Sequence, residues 1–94
     1  MEKATHIRRN MVLKEMDIRW FPNGKRNIYS IKFVDKLGKV RFIPQCFTRG
    51  LPYNVRDARQ RGIQPCNCKG EPEGHVYPVG IDAMIMYNNM EVIL

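Results

Sequence analysis

The stretch IYSIKFVDKLGKVRFI, residues 28–43, decides the fold. In its first half Tyr29, Ile31 and Phe33 take one side while Ser30 and Lys32 take the other. That two-residue period is the mark of a half-buried strand. A turn at DKLG (35–38) sends the chain back into a second strand, KVRFI (39–43). Pairing Val34 with Lys39 brings Phe33 to Val40 and Ile31 to Phe42, so all four apolar side chains share one face.

Working towards the N-terminus, EMDIRWF (15–21) also alternates, with Met16, Ile18 and Trp20 on one side. PNGKRN (22–27) is a loop built on Pro and Asn-Gly. A hairpin across it that pairs Phe21 with Ile28 sets Trp20 opposite Tyr29, Ile18 opposite Ile31 and Met16 opposite Phe33. The expectation is a three-stranded antiparallel meander with Arg19, Lys32, Lys39 and Arg41 on its polar face. Residues 1–10 are polar and read as a flexible tail, with one domain over 11–94.

Towards the C-terminus, RGLPYNVRDARQRGI (49–63) predicts one short helix near residues 55–61. Asn54 would cap it, Asp57 would suit its positive end, and Gly62 would take the left-handed position that closes it. Residues 64–80 carry Pro and Gly without periodicity and read as a long loop. GIDAMIMYNNMEVIL (80–94) predicts a hairpin that turns at Asn88-Asn89 and pairs Tyr87 with Met90. Both its faces are apolar, so the hairpin is either buried between layers or, through Met84, Met86 and Ile93, in contact with a second copy of the chain. The whole predicts a mainly β domain of about five strands, an antiparallel meander or a partly open SH3-like or OB-like barrel.

No run approaches the roughly eighteen apolar residues that span a bilayer, and no signal-peptide core follows the N-terminus, so a cytoplasmic protein without a membrane partner is expected. Three cysteines, an odd number, argue against a disulfide scaffold. Cys66, Cys68 and His75, with Cys46, raise the question of zinc. Tetrahedral zinc draws its sulfurs close together, which Cys-x-x-Cys achieves in a tight turn. Cys66-Asn-Cys68 has one intervening residue, which in extended chain separates the thiols by nearly 7 Å. Solvated loop cysteines without a metal, with Cys46 half-buried at the end of the third strand, are the expectation. No nucleophile elbow, phosphate-cradling glycine loop or zinc-protease motif is present, so neither enzymatic activity nor a cofactor is expected.

Charge carries the functional reading. The 94 residues have a net charge of +7, and residues 1–61 hold fifteen Lys and Arg against five acids. Such an excess attracts phosphate backbones. The predicted contacts are Arg41, Arg49, Arg56 and Arg59, with Arg19 and Lys39 at the margin, binding DNA or RNA without sequence readout. By the register above Trp20, Tyr29, Phe33 and Phe42 belong to the core, leaving Phe21, Phe47, Tyr53 and Tyr77 as candidates for stacking on bases. The alternative expectation is a structural or protein-interaction subunit that self-associates through the 81–94 hairpin.

Overall fold

The computed structural model describes residues 5–52 and 58–94. The chain forms β1 (His6–Arg8), α1 (Arg9–Asp17), β2 (Tyr29–Val34), β3 (Val40–Thr48), β4 (Gln60–Pro65), β5 (Tyr77–Gly80), a 3-10 turn (Ile81–Ala83), β6 (Met84–Tyr87) and β7 (Met90–Ile93). The strands make one mixed sheet in the order β1-β7-β6-β2-β3-β4-β5. It is open rather than a closed barrel, and mainly β as expected.

The predicted first strand is instead the helix α1. Val12 and Met16, four residues apart, are both fully buried, while Ile18 and Trp20 are 46% and 56% exposed. The alternation of Met16, Ile18 and Trp20 is therefore not a burial pattern. The burial that Met16 shares runs back one helical turn to Val12. Among the described residues no strand before Pro22 pairs with β2, and Trp20 meets Arg26 in an isolated bridge rather than Tyr29. Asn27 closes the helix instead: its side-chain amide donates to the Glu15 carbonyl at 2.7 Å and the Ile18 carbonyl at 2.9 Å. The Ile18 carbonyl at the helix end is thus satisfied from the loop, and the Glu15 carbonyl, which already accepts from the Ile18 N–H at 3.1 Å, gains a second donor. Residues 6–8, predicted as tail, pair in parallel with β7, with His6 opposite Glu91 and Arg8 opposite Ile93.

The β2–β3 hairpin forms, displaced by one residue from the expected register. Phe33 lies opposite Arg41, Lys32 opposite Phe42 and Ile31 opposite Ile43. The cause is the turn. Asp35 donates its backbone N–H to the Lys39 carbonyl, leaving a three-residue loop with Gly38 at φ +80°. A three-residue loop ending in a left-handed glycine sets its own register. The slip moves Val40 and Phe42 to the open face, each 57% exposed, and puts Ile43 in the core. Further along, Pro44 and Gln45 together oppose Ser30, a bulge that accommodates a proline within the strand.

The core lies between α1 and one sheet face: Val12, Met16, Tyr29, Ile31, Phe33, Ile43, Cys46, Ile63, Val79, Met84 and Tyr87. Thr48 ties the layers together, donating to the Met16 carbonyl at 2.5 Å and sharing a 2.9 Å hydrogen bond with the Tyr29 hydroxyl. Burial, Glu15 and Cys46 push the Tyr87 hydroxyl up to about 12. The Tyr87–Met90 hairpin pairs as predicted, with Asn88 and Asn89 at φ +48° and +64°.

Of the predicted helix near 55–61, residues 55–57 lie outside the described residues. Arg59 sits in a turn with φ +53°, and Gln60 and Arg61 begin β4. Gly62 is a strand residue, not a left-handed cap. A Cβ there would collide with the Arg49 carbonyl oxygen, so the close approach of β3's continuation requires glycine. Residues 64–80 are more ordered than a long loop. Cys66 bridges to Pro72 around a tight turn, and β5 follows. Among the described residues, no helix is long and apolar enough to cross a membrane.

Candidate functional site

Two turns of the same build flank one end of the sheet. In Phe21–Lys25, Phe21 donates its N–H to the Lys25 carbonyl at 2.8 Å, and Gly24 takes φ +84°. In Asn67–Glu71, Asn67 donates to the Glu71 carbonyl at 3.0 Å, and Gly70 takes φ +80°. The Asn67 side-chain oxygen accepts from the N–H groups of Lys69 and Glu71, as Asp35 does for Leu37 and Lys39 in the β2–β3 turn. An Asx side chain bonding to backbone two and four residues on fixes such turns without help from the core. Lys25 closes the first of these turns, and Lys69 stands at the tip of the second.

Between these turns lies an open groove of about 370 Å³, lined by Arg19, Trp20, Arg26, Phe47, Thr48, Arg49, Gly70 and Pro72. Lys25 and Lys69 continue its basic surface alongside Trp20 and Arg26. Three guanidinium groups come from three segments: Arg19 follows α1, Arg26 follows the Phe21–Lys25 turn, and Arg49 follows β3. Arg26 is held between two rings, 4.3 Å from the Trp20 centroid and 4.1 Å from that of Phe47. Each such contact is worth about 0.5–1 kcal/mol when exposed and more when dry. Arg19 reaches to within 3.9 Å of where a Cβ on Gly50 would sit. Arg49 donates to the Gln64 side-chain oxygen at 3.1 Å, and Gln64 is itself buried and bonded to the Pro65 carbonyl at 2.9 Å. No carboxylate stands among the described residues that line the groove. Its positive field reaches the chain behind it: burial and then Glu73 raise the Cys66 thiol's pKa, while Arg26 pulls it down.

The predicted contact residues divide. Arg19 and Arg49 meet in the groove. Arg41 and Lys39 lie at the opposite end of β3, about 25 Å of strand away. Arg41 donates to Asp35 at 2.6 Å, and this ion pair raises its pKa. Hydrogen bonds from the Lys39 N–H and then from Arg41 hold the Asp35 carboxyl below its usual range. Arg59 pairs with Asp82 at 3.2 Å, and Arg9 joins the same carboxylate. Arg61, partly buried, donates to Asp17 at 3.0 Å. That pairing offsets the unfavourable placement of an acid at a helix C-terminus. Arg56 lies outside the described residues.

Aromatic roles also change. Trp20, expected in the core, is exposed on the groove wall, and Phe42 is exposed on the open sheet face. Phe47 is 4% exposed and backs Arg26. Tyr77 packs on Phe33 and His75, Phe21 is exposed, and Tyr53 lies outside the described residues. Sequence reasoning missed Arg26, Lys25, Lys69 and the placement of Trp20. The signal was the shared spacing that puts a glycine three residues into each turn: Phe21 to Gly24, Asp35 to Gly38 and Asn67 to Gly70.

Cys46 is buried and donates to the Tyr29 carbonyl, Cys66 is buried, and Cys68 is exposed; all three are free thiols. His75 stacks against Tyr77. Among the described residues, no three His, Cys, Asp or Glu gather as a metal site. Met84 points into the core opposite Phe33, where a bulge turns it inward, while Met86 is half-buried and Ile93 is 39% exposed on the other face. The outer edge of β7 is occupied by β1. Comparison with protein-family models, curated proteins and solved structures finds no match, so the functional reading rests on these side chains themselves.

Proposed function

We propose that this protein binds nucleic acid through its phosphates, without reading sequence, in the groove of Arg19, Arg26 and Arg49 with Lys25 and Lys69 on its rim. One observation carries the reading: three guanidinium groups converge from separate segments, and no acid among the described lining residues answers them. Like charges gathered in this way repel one another, and an anion entering the groove relieves that repulsion. The planar guanidinium suits phosphate oxygens, and backbone contacts of this kind position a strand without specifying bases. The three free thiols suit a reducing, cytoplasmic setting for the same activity.

Titration with a labelled 15-nucleotide strand near 50 mM salt tests the proposal. Affinity should fall steeply as salt rises, with a log–log slope of about −0.7 for each single-strand phosphate neutralised. No retention of either single- or double-stranded nucleic acid at low salt would end it.

A further inference from the structure

Resting on the phosphate-binding reading, we infer that the groove selects unpaired nucleic acid by stacking a base on the outer face of Trp20. Arg26 covers one face of the indole, its guanidinium carbon 4.3 Å from the ring centroid, yet the residue remains 56% exposed. A large aromatic side chain left this open next to a cationic groove loses apolar burial that the core would otherwise have provided. The ring is also held in place. Arg26 is gripped from behind by Phe47, and the Trp20–Arg26 bridge fixes the backbone of both residues. Little side-chain freedom then remains to be lost when a base arrives. Arg19, next in the chain, and Arg49 across the groove supply charge for the phosphate of a nucleotide whose base lies on the indole. A duplex keeps its bases stacked on one another and offers no free π-face, whereas a single strand does. Phosphate contacts alone make no such distinction.

Trp20 is the sole tryptophan, so its fluorescence reports on the site directly. The test compares oligothymidylate, a duplex of equal length and long-chain polyphosphate, each near 50 mM salt, with binding followed independently by anisotropy or competition. Oligothymidylate should quench Trp20 strongly. Polyphosphate, which has charge but no bases, should bind with its emission almost unchanged. Trp20→Ala should weaken oligothymidylate about 5- to 150-fold, the range for losing one stacked base, and should weaken polyphosphate much less, since that ligand loses only the ring that orders Arg26. Trp20→Phe, which keeps a ring, should recover most of the loss. Equal quenching by polyphosphate, or bound oligothymidylate that leaves the emission unchanged, would overturn the stacking while leaving phosphate binding in place. Failure of all three polyanions to bind would remove both.

Discussion

Seven of the described arginines fall into two groups that occupy different regions. Arg9, Arg41, Arg59 and Arg61 each meet a carboxylate: Asp82, Asp35, Asp82 and Asp17. They join the N-terminal segment to the 3-10 turn, close the β2–β3 turn, and tie β4 to the end of α1. Arg19, Arg26 and Arg49 instead converge on a groove between two tight turns, where two rings hold Arg26, an amide holds Arg49 and no described lining residue is an acid. A paired guanidinium at the surface stabilises modestly and offers little field to a ligand. An unpaired cluster is costly to assemble and has its use in an anion. Composition alone cannot separate the two, since both count equally in a net charge of +7.

Gly62, behind the groove, is where a single substitution should do most damage. Gly62→Ala places a Cβ against the Arg49 carbonyl and must push β4 away from the segment carrying Arg49. It should destabilise the fold by about 2–3 kcal/mol in denaturant unfolding and weaken nucleic-acid binding together with it. Unaltered stability would mean that the backbone approach is looser than the geometry indicates.

A smaller effect belongs to Asn27, which anchors the loop bearing Arg26 to the end of α1. Asn27→Ala should cost about 1–2 kcal/mol, since the Ile18 carbonyl loses its side-chain donor and the Glu15 carbonyl keeps only the Ile18 N–H. Asn27→Asp keeps the shape but not the N–H groups, so it should be no milder. If the aspartate variant matched wild type in urea unfolding, packing rather than capping would be the role of Asn27.

Smallest is the acid response of the paired region. Asp35 and Asp82 titrate below the usual carboxylate range, Asp35 through the Lys39 N–H and Arg41, Asp82 through Arg59 and Arg9. Their folded forms therefore favour the charged state. The stability they add is complete above the unfolded pKa of about 4 and is lost as pH falls through the lower folded values. Unfolding free energy should decline as pH falls below about 4, and Asp82→Asn should flatten part of that decline. An identical pH profile in the variant would contradict the pairing.

The β-rich character, the alternating burial of Tyr29, Ile31 and Phe33, and the Asn88-Asn89 hairpin were legible in the sequence because each rests on a local rule. The β2–β3 register was not. Counting DKLG as a four-residue turn, rather than a three-residue loop closed by Asp35 and Lys39, exchanges the faces of Val40 and Phe42 with those of Arg41 and Ile43. Met16-Asp-Ile-Arg-Trp20 misleads because two-residue alternation over five positions matches a strand, while the burial of Val12 and Met16 shows the four-residue period of a helix. The groove was half legible. Arg19 and Arg49 could be named from charge, but their meeting depends on β4 and the Asn67–Glu71 turn returning beside β3. Gly62 permits that tertiary event, and no local pattern announces it.

The most direct test compares two double variants on one single-stranded oligonucleotide across a salt series. Arg19→Ala with Arg49→Ala should make the log–log slope shallower by about 1.4, the share of two single-strand phosphates, while Arg41→Ala with Arg59→Ala leaves it at the wild-type value. Equal slopes in the two double variants would show that paired and unpaired arginines contribute alike, and the groove would lose its claim to be the site.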